Sequence, residues 1–278
     1  MALGRFDGVH RAHKAVITAA TEFHKTLTPA VFTFCDNPGK STAKLLCTQS
    51  EKEALIENCG TQLLVNATFD SVRNLSAEEF VTEVLIKRLN AKAILCGYNY
   101  RFGKGACGNV DTLKELCRNH SLQLVCIEEL QGVSSTSVRN LLSDGKVRKA
   151  AELLGRNYCL SGEIIHGKAL GRTIETPTLN INVPKEKLLP RYGVYATLAT
   201  IDGTTYKSVT NIGMKPTVGT DTPTTETYLL DAQGNFYAKH AEIELVEFLR
   251  EEQKFSSLEE LRSVINLDIE KAKSTLNY

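Results

Sequence analysis

The chain has 278 residues, which an average of about 150 residues per domain converts to roughly two domains. Lys and Arg total 33 against 32 Asp and Glu, so a formal charge of +1 provides no overall field for nucleic acid or an anionic membrane. We therefore expect no nucleic-acid partner and no membrane association. No apolar run approaches the roughly 18 residues of a membrane span, and residues 1–7 lack the apolar centre of a signal peptide, which predicts a cytoplasmic protein. Eight cysteines without a C-x-x-C pair agree with a reducing compartment.

In the first half of the chain, segments with helical spacing alternate with short apolar runs. The strand-like runs are residues 1–3, 29–34, 62–66, 93–97 and 122–127, and the helical segments are 12–23, 78–89 and 113–116. Alternating strands and helices predict a parallel sheet with helices on both faces, which is an α/β domain.

In the second half, the apolar residues recur with a period of two. Alternating runs flank Asp202-Gly203 and predict a hairpin of residues 195–200 and 205–210. A second strand pair is expected between residues 225–230 and 236–246. Many short strands with Gly-containing turns favour a small, closed antiparallel barrel.

The chain ends in a predicted helix, residues 257–272, which a serine at its start can cap. The apolar stripe of this helix consists of Leu258, Leu261, Ile265 and Ile269. The linker between the two sequence patterns is expected at Gly155-Arg156-Asn157, which predicts domains of residues 1–155 and 156–278.

A glycine-bounded turn, Gly4-Arg5-Phe6-Asp7-Gly8, leads from the first strand into a helix that begins with His10 and His13. Residues three apart share one face of a helix, and the unpaired N–H groups of its first turn form a seat for phosphate. Two imidazoles there can donate to phosphate oxygens and stabilise charge on a pyrophosphate leaving group. A metal-binding pair and ordinary surface histidines are the alternatives.

The segment from Gly103 to Gly108 matches G-x-G-x-x-G, and Glu128 follows at about the distance that a dinucleotide fingerprint requires. An NAD-dependent oxidoreductase is therefore an alternative. The fingerprint belongs directly after its strand, however, and residues 98–102 intervene after Gly97. A nucleotide-contacting loop is favoured, in which Asn99 hydrogen-bonds a base or a ribose.

Two further segments carry groups that suit phosphates. Ser134 and Thr136 open a helix and Arg139 follows about one turn later, which fits either a plain helix cap or an anion clamp. A second loop is rich in glycine and positive charge, with Gly167, Lys168, Gly171 and Arg172. Its glycine spacing is one residue too short for a P-loop, so we interpret it as a loop whose cations and N–H groups cover phosphates.

Thr178 and Asn180 lie two residues apart, so on an extended segment both side chains point to the same face. Their oxygens are hard ligands suited to Mg²⁺, although a simple Thr/Asn turn is the alternative. Glu226 lies in an alternating strand, where a carboxylate usually faces solvent. If it points inward, it can accept a proton from an alcohol that attacks a γ-phosphate.

Taken together, these motifs resemble the bacterial bifunctional riboflavin kinase/FAD synthetase family over essentially the whole chain. The first half is similar to its adenylyltransferase module at Gly4, residues 6–10, His13, residues 101–103, residues 133–136 and residues 138–139. The second half is similar to its flavokinase module at residues 171–172, 177–178, 180, 193–196, 211–213, 216–217, 226, 248–250 and 254–255.

This resemblance implies a Rossmann-like nucleotidyltransferase domain followed by a small β-barrel flavokinase domain with a C-terminal helix. It implies phosphorylation of riboflavin to FMN and adenylylation of FMN to FAD, with ATP as co-substrate and Mg²⁺ as cofactor. ATP would be bound for adenylyl transfer by Gly4, Phe6, Asp7, His10, His13, Asn99, Ser134, Thr136 and Arg139, and for the kinase by Gly167, Lys168, Gly171, Arg172, Thr178 and Asn180. Glu226, His10 and His13 would be catalytic, Thr178 and Asn180 would hold the metal, and Arg250 and Phe255 would lie against the flavin. A monofunctional kinase and a flavin- or nucleotide-binding regulatory protein are the alternatives.

The sequence departs from the family pattern at several of these places. Arg5 and Ala12 stand where a small polar residue and a glycine are usual, and Cys35-Asp36-Asn37-Pro38 replaces Asp-Pro-His-Pro. A side chain at Ala12 and the missing histidine would weaken adenylyl transfer. Glu175-Thr176 replaces Gly-Phe and brings a carboxylate near the phosphates of the kinase.

Overall fold

The computed structural model describes residues 1–36, 43–165, 178–217, 220–232 and 234–276. The chain forms two compact units, Met1–Ser135 and Thr136–Tyr278. Each unit has its own sheet. A domain boundary at residue 155 stays a prediction from the change in sequence pattern.

The first unit is built on a parallel sheet of five strands in the order β3-β2-β1-β4-β5. The strands are β1 (Ala2–Leu3), β2 (Ala30–Phe34), β3 (Leu63–Ala67), β4 (Ala93–Gly97) and β5 (Gln123–Ile127). The helices are α1 (Arg11–Thr21), α2 (Gln49–Glu57), α3 (Ala77–Glu79), which continues as a π-helical segment (Phe80–Arg88), and α4 (Val110–Asn119). This confirms the predicted α/β class.

Successive residues of the central strands belong to different apolar clusters, because side chains alternate between the faces of a sheet. Leu3, Phe32 and Ile94 pack in one cluster with the π-helical segment and α4. Their neighbours Ala2, Val31 and Leu95 pack in another cluster with α1. Both faces of the sheet are therefore covered, which explains why these strands read as continuous apolar runs.

Helix α2 was not predicted from the apolar pattern. Its buried residues are only Lys52 and Ile56, so the hydrophobic period that indicates a helix is nearly absent. The helix begins instead at a capping box, in which Thr48 and Glu51 each accept a hydrogen bond from the other's backbone N–H.

The second unit contains most of α5 (Ser135–Ser143), then α6 (Val147–Leu154), a barrel and α7 (Leu258–Thr275). The barrel is closed, with the strand order β10-β7-β6-β11-β8-β9. Its strands are β6 (Tyr158–Ile165), β7 (Leu179–Asn182), β8 (Gly193–Ile201), β9 (Thr204–Thr217), β10 (Thr220–Leu229) and β11 (His240–Arg250). The predicted barrel with a C-terminal helix is confirmed.

One predicted hairpin is confirmed and the other is wrong. Strands β8 and β9 pair around Asp202 and Gly203, which both have positive φ, at 48° and 78°. The expected pair of β10 with β11 does not form, because β10 bonds to β9 and β7 while β11 bonds to β6 and β8. Each of the two strands has both edges occupied by other partners.

Helix α7 packs on the outside of the barrel. Ala272 of the helix and Leu276, which caps its end, form a cluster with Ala196 and Leu230, and Ile269 and Tyr228 pack against it. Ser257 caps the helix as predicted, by accepting a hydrogen bond from the Glu260 N–H. The predicted stripe does not extend to the first turn, where Leu258 is exposed.

Candidate active sites

The turn between β1 and α1 has a strained backbone. Phe6 and Val9 both have positive φ, at 51° and 37°, which non-glycine residues rarely adopt. Both side chains are fully buried, and their packing offsets this local cost. A Cβ on Gly4 would lie 2.7 Å from the Phe6 ring, so this position needs glycine. The strain therefore lies immediately before the helix start that the sequence assigned to phosphate.

His10 and His13 are brought together at the start of α1. Nδ1 of His10 accepts the backbone N–H of His13 at 3.3 Å, so the His10 imidazole is the cap of the helix. Since Nδ1 is an acceptor, the neutral ring carries its proton on Nε2. The two rings are stacked, with centroids 3.6 Å apart and planes at 18°.

His13 has a buried ring nitrogen at the same helix start. Among the described residues, its buried Nδ1 has no hydrogen-bond partner. Burial, reinforced by the adjacent His10, holds the pKa of His13 well below its ordinary value. An anion at this helix start would favour the protonated imidazole and supply the missing partner. The described residues contain no cluster of three or more His, Cys, Asp or Glu side chains that could hold a metal.

Asp7 organises the turn from within. Its Oδ1 accepts the backbone N–H groups of Leu46 at 2.9 Å and Cys47 at 3.3 Å. Its carbonyl oxygen accepts the Ser135 hydroxyl at 2.9 Å. Asp7 also lines a cleft that is open to solvent. Among the described residues, the others that line this cleft are Arg5, Phe34, Cys35, Asp36, Leu45, Cys47, Gln49 and Lys52.

The remaining nucleotide-site residues of the sequence prediction are placed as follows. Asn99 is exposed, two residues beyond the end of β4. Ser134 precedes α5, and Thr136 and Arg139 lie in its first two turns. The loop from Gly103 to Gly108 is closed by a bridge between Phe102 and Gly108, and a short 3₁₀ turn follows Gly103. This loop lacks the direct strand-to-helix turn of a dinucleotide fingerprint.

On the barrel, Asn180 and Glu226 are directly opposite each other on β7 and β10. Asn211 of β9 lies opposite Glu226 on its other side. Thr178 immediately precedes β7. The barrel closure therefore places a carboxylate between two amides, beside the Thr178-x-Asn180 segment. Gly167, Lys168, Gly171 and Arg172 lie outside the described residues.

Glu226 faces outward, the usual orientation for a carboxylate on such a strand, and does not point inward, the alternative that the sequence left open. Its neighbours Thr225 and Thr227 are buried inside the barrel, so Glu226 must lie on the opposite face of β10. Tyr228 shares that outer face and packs beneath α7. The candidate site is therefore on the outer wall of the barrel, on the face of β10 opposite the buried Thr225 and Thr227.

Arg250, one of the two residues expected to contact the flavin, is bonded to α7 and lies near the other, Phe255. The Arg250 guanidinium donates to the Asp268 carboxylate and lies 5.9 Å from the centre of the Phe255 ring. Glu252 follows, and its carboxylate is 3.5 Å from the Asn211 amide and so close to Gly213 that a Cβ there would overlap it. Asp268 and Glu252 were not predicted, because their positions in a polar helix and a charged run carry no distinguishing signal.

The chain thus combines an α/β unit, in which two histidines stack at a helix start, with a barrel in which Glu226 lies between Asn180 and Asn211. An FAD synthetase family model matches residues 1–138, and a riboflavin kinase family model matches residues 154–276. The chain belongs to the bifunctional riboflavin kinase/FMN adenylyltransferase family. The resemblance inferred from the motifs is thus confirmed.

Individual relatives agree over nearly the full length. The bifunctional riboflavin kinase/FMN adenylyltransferase of Pseudomonas fluorescens is 34% identical over 284 residues, covering 98% of this chain and 91% of the relative. The enzyme of the same name from Bacillus subtilis is 34% identical over 287 residues, which cover 98% of this chain and 90% of the relative. A crystal structure named as a macrolide-efflux protein from Streptococcus pneumoniae matches with a TM-score of 0.88 at 25% identity, covering 100% of this chain and 93% of that one. Within the described residues, no helix has the length and apolarity to cross a bilayer.

Proposed function

We infer that this chain phosphorylates riboflavin to FMN and then transfers an adenylyl group from ATP to FMN, which yields FAD. The observation that carries this function is the match of both catalytic family models to consecutive parts of one chain. Relatives that carry both activities align over nearly the whole length of the chain. The family implies the use of ATP in both steps.

In the kinase step, Glu226 is the proposed base. It accepts the proton of the ribityl 5′-hydroxyl, whose oxygen attacks the γ-phosphorus of ATP as the bond to the β-phosphate oxygen breaks and ADP leaves. The position of Glu226 between Asn180 and Asn211 supports this role, because both amides can orient the carboxylate or the hydroxyl.

The donor set next to Glu226 also suits Mg²⁺, which prefers oxygen ligands. Thr178 and Asn180 would hold the ion together with the phosphates of ATP, and the ion would neutralise charge on those phosphates. Gly167, Lys168, Gly171 and Arg172 are proposed to cover the phosphates, and Arg250 and Phe255 to border the flavin. The partial exposure of Thr178 and Asn180 is consistent with ligands completed by substrate.

In the adenylyl-transfer step, a phosphate oxygen of FMN attacks the α-phosphorus of ATP and pyrophosphate leaves. His10 and His13 each carry a ring N–H when neutral, the Nδ1 of His10 being an acceptor and the pKa of His13 being lowered by burial, so both can donate to the leaving group. Ser134, Thr136 and Arg139 are proposed to bind phosphate oxygens, and Asn99 the base or ribose. The turn residues Gly4, Phe6 and Asp7 would contribute backbone groups, because the Phe6 side chain is buried and the Asp7 carboxylate is already bonded.

The substrates are thus small molecules: riboflavin, FMN and ATP. We also propose that the enzyme acts in the cytoplasm without a nucleic-acid partner. The near-neutral formal charge of +1 supports the second point, and the eight cysteines, none of which forms a disulfide, are consistent with a reducing compartment.

The deciding experiment incubates the full chain with riboflavin, ATP and Mg²⁺ and separates the flavins by chromatography. Formation of FMN followed by FAD is the expected result. FMN alone would reduce the function to that of a monofunctional kinase. Retention of flavin without either product would instead favour a binding protein with a regulatory role.

A further inference from the structure

A lysine ammonium is buried in the cleft of the first unit. Lys52 is 9% exposed, and a lysine is seldom buried to this degree without a specific partner. Its Nζ donates to the backbone carbonyl of Phe34 at 2.5 Å, at the last residue of β2. Because α2 buries only Ile56 besides Lys52, the helix places a charge where it would ordinarily place an apolar side chain.

The charged and titratable groups around this ammonium come from three segments. Asp7 of the β1–α1 turn is the strongest favourable charge, followed by the thiols of Cys47 and Cys35 and the carboxylate of Glu53. Arg5 and Asp36 also line the cleft. Burial outweighs the attraction to Asp7 and lowers the pKa of Lys52 below its ordinary value.

Asp7 connects Lys52 to the strained turn. The carboxylate accepts N–H groups of Leu46 and Cys47, which immediately precede the cap of α2. Asp7 lines the same cleft as Lys52, and its negative charge favours the ammonium, which donates a hydrogen bond to the last carbonyl of β2. Lys52 therefore joins α2, β2 and the turn that carries Phe6 and Val9 in positive φ.

We propose that Lys52 is a positioning residue for adenylyl transfer: its ammonium bonds to the end of β2 and attracts Asp7 in the shared cleft, and thereby keeps His10 and His13 in the geometry that receives phosphate. The proposal rests on the function assigned to the first unit. Strained turns keep their shape only where their surroundings overdetermine it, and Lys52 supplies a charge that no other residue of α2 can replace.

The test measures FAD formation from supplied FMN and ATP by the full chain, from about pH 7 to about pH 11. Lys52→Met should lower kcat by about 10²-fold with a smaller change in the KM for ATP, because misplacement by about 1 Å carries such a cost. Lys52→Arg should restore much of the rate, since it keeps the charge. Lys87→Met is the matched control, because Lys87 pairs with Glu83 on an exposed helix face of the same unit.

The pH profile separates positioning from a merely structural role. The wild-type rate should fall on the alkaline side as Lys52 loses its proton, below the ordinary lysine pKa. In Lys52→Arg this alkaline decline of the rate should move to higher pH, because the guanidinium stays protonated. If the rate of Lys52→Arg declines at the same alkaline pH as that of the wild type, the proposal is overturned. This test remains decisive even if Lys52→Met fails to fold.

The coupling between Lys52 and Asp7 can be tested with a double variant. If Lys52 acts through Asp7, the fold-loss of rate in Asp7→Asn/Lys52→Met should be much smaller than the product of the fold-losses in the two single variants. Independent, multiplicative losses would contradict the proposal, as would a Lys52→Met rate equal to that of Lys87→Met. If the wild-type chain makes no FAD at all, both the assigned function and the role of Lys52 are wrong. If the wild-type chain makes FAD and Lys52→Met makes it at the same rate, only the role of Lys52 is wrong. Riboflavin phosphorylation, measured in every variant, reports the integrity of the second unit.

Discussion

Arg250 and Asp268 form an ion pair in which Nε and Nη2 of the guanidinium donate to the carboxylate at 2.8 to 3.0 Å. The pair joins the end of β11 to the middle of α7. The Asp268 side chain is only 4% exposed and that of Arg250 is 20% exposed, so neither charge has much water to replace its partner. The pair therefore fixes the helix that borders the candidate flavin region.

Removing one member of this pair should destabilise the second unit. We expect Asp268→Asn to lower its free energy of unfolding by about 3 kcal/mol, because a largely buried guanidinium loses its counter-charge. Riboflavin affinity should fall in parallel as α7 loosens. Glu270→Gln is the control: Glu270 pairs with Lys273 on the exposed side of the same helix and should matter by less than about 0.5 kcal/mol. Equal effects of the two substitutions in urea unfolding would refute the assignment.

Glu226→Gln should reduce FMN formation by about 10² to 10⁴-fold and leave the conversion of supplied FMN to FAD unchanged, because glutamine has the shape of the base without its proton affinity. Both rates can be followed by chromatography of the same reaction. Glu242→Gln, on an exposed position of β11, should leave both rates intact. Loss of both activities in folded Glu226→Gln would contradict separate catalytic centres.

The double substitution His10→Ala/His13→Ala should have the opposite selectivity. Adenylyl transfer should fall by about 10² to 10³-fold, since two donors to the pyrophosphate are removed, while riboflavin phosphorylation persists. His120→Ala, at an exposed position after α4, serves as the control in the same assay. Retention of normal FAD synthesis by the double variant would exclude the helix start as the phosphate site.

The free energy of unfolding of the first unit should decrease as the pH is lowered below about 6.5, the ordinary pKa of histidine. Burial lowers the pKa of His13 in the folded chain. At a pH between this pKa and the ordinary one, His13 is protonated in the unfolded chain but neutral in the folded chain. Each pH unit in that window then costs up to about 1.4 kcal/mol. Thermal unfolding of wild type and His13→Asn at several pH values tests this. Parallel curves for the two proteins would show that His13 does not contribute.

A chain of buried hydroxyls should contribute to barrel stability. Thr197 Oγ1 lies 2.7 Å from Ser208 Oγ and 2.8 Å from Thr210 Oγ1, and all three residues are fully buried. Thr197→Val keeps the shape but leaves these partners unsatisfied, so the loss should be about 1–3 kcal/mol. Thr200→Val breaks an exposed hydroxyl pair with Thr205 and should cost less than about 0.5 kcal/mol. Chemical denaturation that ranks Thr200→Val as the more harmful change would reverse this expectation.

The sequence by itself determined both sheet types, the turn at Asp202-Gly203, a serine cap for the last helix and the family, because periodicity, turn residues and caps are local properties of the chain. It also predicted the proximity of His10 and His13, since three residues on a helix fix that neighbourhood. Only the tertiary structure decided the strand partners of β10, the outward face of Glu226, the pairing of Arg250 with Asp268 and the burial of Lys52. Backbone N–H and C=O groups are alike at every residue, so a strand pattern shows which side chains are buried but not which distant segment supplies its partner. That choice is made only when the whole barrel or sheet closes.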